Sequence, residues 1–266
     1  ARASRKTSQG FCDGFKRRDT GHCGMVRRYK QGFCNNMDSQ KQRAPLKTNP
    51  LMGRAHNILT RLGRAYPRAA IALHYRSHWQ LLVAVILSAQ CTDKKVNEVT
   101  AGLFKKYPKI DDYLNLDPKK LEALIKPTGF YHAKAKSILT SAKMLKEQFG
   151  GIIPRTMGEI LTLRGVARKT ANVVLGNAYG IVEGIAVDTH VRRLAGRLGL
   201  SSSHDPVRIE QDLMRLLPKK YWFIATYRLI DHGRAICTAK DPRCDLCPLA
   251  DICPSAFKFP RFTDSP

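Results

Sequence analysis

From about residue 53 the apolar positions recur at helical intervals. HNILTRLGRAY (56–66) and WQLLVAVILSAQ (79–90) repeat apolar residues every three or four positions, the spacing that lines one face of an α-helix. KKLEALIKP stops at Pro127, and KAKSILTSAKMLKEQF runs from Lys134 into the stop at Gly150-Gly151. MGEILTL leads to a turn at Gly165, and TANVVLGNAY follows it. THVRRLAGRLGL, PVRIEQDLMRLLP and YWFIATYRLIDHGRAIC supply three further amphipathic segments. No stretch alternates with period two, so the predicted class is all-α. Residues 1–50, rich in Arg, Lys, Ser and Gln, carry neither period and read as a basic, disordered arm. A faint, evenly spaced repeat runs through that arm, a Gly-x-Cys that ends in turn at Cys12, Cys23 and Cys34.

Charge changes the picture. The chain of 266 residues has a formal net charge of +25. Residues 1–50 hold 12 Lys/Arg against 3 acids, 51–150 hold 17 against 7, and 151–266 hold 17 against 11. The folded part is therefore basic in its own right, not through its arm alone. Such a surface expects a polyanion partner, because neutralising phosphates releases counterions whatever the base sequence. Charge alone does not separate DNA from RNA. No run of 18 or more apolar residues occurs, so no membrane partner is expected.

The eight cysteines form two groups and a singleton, Cys91. No secretory signal pattern precedes them, which points to a reducing compartment and to metal before disulfide. The second group is CTAKDPRCDLCPLADIC, a C-x6-C-x2-C-x5-C arrangement of Cys237, Cys244, Cys247 and Cys253 in one short loop. All-thiolate coordination suits zinc or an iron–sulfur cluster. Structural zinc sites usually pair two C-x2-C knuckles, whereas only Cys244 and Cys247 are so spaced; the uneven loop fits a wider cubane better. Lys240 and Arg243 lie in the loop between the first two cysteines and would present cations outward.

The segment LTLRGVARKTANVVL (161–175) is the other candidate site. Two helices joined through Gly165, the second starting near Ala167, leave backbone N–H groups and the positive end of a helix dipole facing out. That is a phosphate site needing no base readout. Lys169 stands among Ala171, Val173, Val174 and Leu175, so its ammonium is expected at the margin of a buried helix, with a depressed pKa and the reactivity of an amine nucleophile. A simple phosphate contact beside Arg168 is the competing reading. Asp188, in GIAVDTHVRRLAG, is positioned either as a helix N-cap or as a carboxylate that stabilises cationic character at a sugar carbon.

Taken in order, LLVAVILSAQCTDKKVN, LRGVARKTANVVL, IAVDTHVRRLA and the four-cysteine loop resemble the endonuclease III family of bifunctional DNA glycosylases, in the helix-hairpin-helix superfamily. The resemblance covers roughly residues 53–254. It implies an all-α, two-lobed fold, with a six-helix barrel at 71–182 containing the hairpin at about 158–178. A second lobe, 51–70 plus 183–254, would carry one [4Fe–4S] cluster on Cys237, Cys244, Cys247 and Cys253, leaving 255–266 as a tail. It further implies that Lys169 attacks C1′ of a nucleotide flipped out of double-stranded DNA, with Asp188 as the catalytic aspartate. Base release and Schiff-base β-elimination would follow on oxidised pyrimidines and abasic sites. Gln90 matches the residue that fills the vacated space, and Phe130 falls at an apolar wedge. Gly165, Ala167, Arg164, Arg168, Lys240 and Arg243 complete the expected DNA contacts. A monomer in a bacterial cytoplasm, associated with the nucleoid, is the expected setting, with nucleus or mitochondrion as the alternative.

Two departures from the family pattern stand in the hairpin, Arg164 for a proline and Ala167 for a glycine. If position 167 needs a positive φ, alanine would strain the turn by roughly 1–2 kcal/mol. Two alternative functions remain at this stage: an adenine-specific mismatch glycosylase, which typically lacks the hairpin lysine, and a non-catalytic helix-hairpin-helix DNA-binding protein.

Overall fold

The computed structural model describes residues 49–263, all within one compact unit, Lys47–Pro266. The described residues are helices, short 3-10 turns and loops, with no strand among them. The arm and its three cysteines lie outside the described residues except for its last two positions.

Two hydrophobic cores organise the unit. The first is built by α2 (His78–Leu87), α3 (Asp93–Lys106), α4 (Pro118–Ile125), α5 (Tyr131–Phe149), α6 (Met157–Ile160) and α7 (Arg168–Tyr179). Helix α2 is buried on every side from Trp79 to Leu87, which is why its sequence is apolar all round where its neighbours are amphipathic. The second core gathers α1 (Pro50–Ala65), α8 (Thr189–Arg197), α9 (Pro206–Leu216) and α10 (Trp222–Ala235). Its members come from the two ends of the described chain: Ile58 and Leu62 of α1 pack with Leu194, Leu213 and Leu229. Leu249, fully buried between the third and fourth cysteines of the loop, ties that loop to the same core. A last short helix, α11 (Pro260–Thr263), follows the loop.

Local signals set the helix ends. Asn49, Ser77, Thr92, Asp117, Thr156, Asp188 and Asp205 each accept a backbone N–H at the start of α1, α2, α3, α4, α6, α8 and α9. Gly150 ends α5 and Gly180 ends α7, both in the left-handed conformation glycine favours. Helix α3 carries a Thr-Asp start and buries Val96, Thr100 and Leu103, an element the apolar periodicity does not mark.

Candidate active site and cluster loop

The hairpin turn is glycine by necessity. Gly165 has φ +80, and a Cβ there would meet Ser137 Cβ and Oγ at 2.8 Å. Helix α5 braces the turn a second time, Ser141 Oγ donating to the Arg164 carbonyl at 3.0 Å. The alanine departure brings no backbone strain: Ala167 has φ −93 and ψ 171, an extended conformation open to any residue. Ala167 also offers no side-chain cap, so the first-turn N–H groups of α7 are not claimed by a capping side chain.

Lys169 projects from that first turn and is exposed, where the sequence placed it at the margin of a buried helix; the buried face of α7 is Ala171, Asn172, Val174 and Leu175. Asp188 is the N-cap of α8. One carboxylate oxygen caps α8 by accepting the Val191 N–H at 2.8 Å. The same side chain lines, with Lys169, a cavity of about 170 Å³ walled by Leu73 and Val85 of one core and Ala186 and Ile230 beside the other. The two stand on separate helices in sequence, and the junction of the two cores brings them to one pocket.

Four further residues were not singled out from sequence, and two of them, Asp93 and Arg234, belong to the pocket lining. Asp93 and Arg234 pair at 2.7 Å (Oδ2 to Nη2) across the pocket wall, linking α3 to α10. His190 is held below its ordinary pKa chiefly by burial, against the pull of Asp188. Glu210, 4 % exposed, accepts from Arg168 Nε at 2.7 Å and from Asn172 Nδ2 at 2.8 Å. Gly184 leaves the space for that carboxylate, since a Cβ would collide with it. Arg168 is thus an ion-pair partner joining α7 to α9, whereas the sequence placed it on phosphate. The Thr-Asp start of α3 was a visible signal for Asp93; nothing local signals Glu210.

Gln90 and Phe130 stand apart from the pocket lining. Gln90 is exposed just beyond α2, and Phe130 is 66 % exposed just before α5. Both have positive φ, 52 and 47, a conformation that costs a non-glycine residue about 1–2 kcal/mol. Arg164 and Lys240 are exposed; Arg243 is exposed too but donates to the Ala235 carbonyl at 2.5 Å.

Cys237, Cys244, Cys247 and Cys253 line one pocket together with Arg197 and Phe259. Among the described residues no group of three or more His, Cys, Asp or Glu side chains is arranged to hold a single ion. N–H donors converge on the sulfurs as a thiolate-bound cluster requires. Arg197 Nη1 reaches Cys237 Sγ at 3.3 Å and Leu249 N–H reaches Cys247 Sγ at 3.4 Å. His232 Nε2 lies 3.5 Å from Cys247 Sγ, its Nδ1 3.1 Å from the Tyr66 hydroxyl. Burial pushes His232 down to about 4, so the ring is neutral, with one N–H to share between its contacts to Cys247 and Tyr66. Burial also raises the Cys247 thiol to about 11, with the neighbouring cysteines adding to it; four sulfurs this close need a cationic centre to stay ionised.

Known proteins decide what this arrangement belongs to. Residues 83–219 match the HhH-GPD superfamily of base excision DNA repair proteins, and residues 237–253 match the iron–sulfur binding domain of endonuclease III. Endonuclease III of Synechocystis sp. is 51 % identical over 203 residues, covering 76 % of this chain and 93 % of that protein. The chain belongs to the endonuclease III family. The Bacillus subtilis endonuclease III is 46 % identical over 73 % of this chain and 89 % of its own length. A solved structure of a trapped endonuclease III–DNA covalent intermediate, in an estranged-adenine complex, superposes with a TM-score of 0.75 at 40 % identity, over 78 % of this chain and 97 % of that one. As a member of this family the protein is a base excision repair DNA glycosylase and AP lyase with the helix-hairpin-helix fold and one [4Fe–4S] cluster. The four loop cysteines fall within the matched iron–sulfur segment and line one pocket, so their thiolates would be the residues to hold that cluster. No described helix is long and apolar enough to cross a membrane.

Proposed function

We propose that Lys169 is the amine nucleophile and Asp188 the carboxylate of a glycosylase/lyase acting on oxidised pyrimidines and abasic sites in double-stranded DNA. The observation that carries this reading is their shared pocket at the junction of the two cores. In its neutral form the Lys169 amine attacks C1′ as the C1′–N bond breaks, and the base leaves with the electron pair and takes up a proton. Opening of the sugar ring leaves an imine between Lys169 and C1′. Loss of a proton from C2′ then expels the 3′ phosphate, breaking the strand 3′ to the lesion, and water releases the lysine. The Asp188 oxygen not engaged in capping stabilises positive charge at C1′ and relays protons.

The target nucleotide must leave the helix for this attack, and a damaged base is cheaper to unstack. Gln90 and Phe130, exposed on strained backbone, are suited to fill the gap and wedge the duplex. The uncapped N-terminus of α7, with Gly165, Ala167 and Arg164, would hold the phosphate backbone, and Lys240 and Arg243 would extend that contact from the cluster loop. In this reading a barrel lobe (71–182) and a cluster lobe (51–70 plus 183–254) grip DNA between them. The protein acts as a monomer on the DNA of a bacterial nucleoid.

Borohydride trapping on a duplex carrying thymine glycol tests the assignment. Wild type should give a covalent adduct that Lys169→Gln abolishes, while Asp188→Asn slows base release. An adduct that persists in Lys169→Gln would overturn the lysine's role.

A further inference from the structure

Lys134 is a lysine where an apolar residue would be expected. It lies on the inner side of α5 and is only 5 % exposed. Burial lowers its pKa. Among the described residues no carboxylate meets it. Its ammonium instead donates to two main-chain carbonyls from separate parts of the chain, Leu87 at 2.9 Å and Thr128 at 2.8 Å. Leu87 ends α2, shortly before Gln90; Thr128 closes a 3-10 turn just ahead of Gly129 and Phe130. Among the described residues only Gln90, Phe130 and Phe257 hold a positive φ without being glycine, so the lysine joins the bases of two of the three strained positions. Thr128 is further pinned by its hydroxyl, which donates to Ile125 at 2.8 Å, and Gly129 (φ 70) turns the chain into Phe130.

A buried ammonium is a costly way to join two loops that leucine packing could also hold, but it fixes a distance that packing leaves soft. From this geometry we infer that Lys134 is a positioning residue for base extrusion: it sets the separation of the Gln90 and Phe130 loops so that both enter the duplex together. The inference rests on the reading of those two residues as gap-filler and wedge. Lys134 is buried and lies outside the lining of the Lys169–Asp188 pocket, so its effect belongs to extrusion and not to the chemistry at C1′.

Single-turnover kinetics separate the two. Lys134→Met keeps the apolar stem and removes the donors. It should slow base release from a thymine glycol duplex by about ten-fold or more, while strand cleavage at an abasic site in single-stranded DNA, which needs no extrusion, stays at the wild-type rate. Placing the lesion inside an unpaired bubble should restore most of the lost rate. Lys134→Gln, which retains one donor group, should fall between and carries the test if the methionine variant does not accumulate. Equal loss on duplex, bubble and single strand would show a general structural role and overturn the inference, as would an unchanged duplex rate. Gln90→Ala and Phe130→Ala run beside them: if those leave duplex base release intact, the wedge reading fails and this inference with it. If they slow it and both Lys134 variants do not, the inference alone fails.

Discussion

Removing the Arg168 side chain separates the structural reading of that residue from the one its position in the hairpin suggests. Glu210 is 4 % exposed and its carboxylate has two donors, Arg168 Nε at 2.7 Å and Asn172 Nδ2 at 2.8 Å. In Arg168→Ala the carboxylate keeps one neutral donor and loses the one counterion it has among the described residues, while Gly184 backs it too closely to admit a compensating group. Breaking a fully buried pair this way costs about 3–5 kcal/mol. The Arg168 side chain is 42 % exposed, so water reaches the vacated side, and about 2–3 kcal/mol is the appropriate range. For a folded unit of this size that corresponds to a fall in Tm of about 4–12 °C, followed by circular dichroism. Arg168→Met combined with Glu210→Gln removes both charges and keeps a partner for Asn172, so it should recover at least half of the loss. A phosphate contact predicts something different: an unchanged Tm, weaker DNA binding and a salt dependence of binding reduced by about one counterion. A negligible shift in Tm together with that change in salt slope would refute the structural assignment.

Gly165→Ala must place a side chain at φ +80 and 2.8 Å from Ser137, and should destabilise by about 2–4 kcal/mol in urea unfolding; Ser137→Gly should relieve the contact part but not the backbone part. Ala167→Gly, at an ordinary φ, should change stability by less than about 1 kcal/mol, against the gain expected if alanine strained the turn. Cys247→Ser should abolish the visible absorbance of the cluster and make residues 237–253 sensitive to protease, while α2–α7 keep their protection because none of their buried residues belongs to the second core. Phe259→Ala should speed bleaching of the same absorbance in air, since that ring lines the cysteine pocket and lies under the Arg197 guanidinium at 4.5 Å.

The helices were legible because each is a local pattern. Apolar residues three and four apart, with capping residues at their ends, specify α1, α5 and α9 with no reference to the rest of the chain. The cysteine loop was legible for the same reason, its four thiols lying in one short stretch from Cys237 to Cys253. Helix α3 escaped because it buries only Val96, Thr100 and Leu103 and is otherwise polar. Lys169 and Asp188 could each be marked as chemically suggestive, but the sequence alone left an equally good reading beside each, a phosphate contact for Lys169 and a helix N-cap for Asp188. Only the packing of two cores, one of them assembled from α1 and the helices after residue 183, puts the pair on one pocket. The partners that decide what a charge does were invisible for a related reason. Glu210 meets Arg168 from a helix far along the chain and Lys134 reaches back to Leu87 at the end of α2, and no local pattern encodes such contacts. Local periodicity thus determined which segments are helices and which residues are candidates, whereas the long-range contacts of the fold decided which candidates meet, because burial and pairing depend on what the chain brings together and not on what precedes or follows in it.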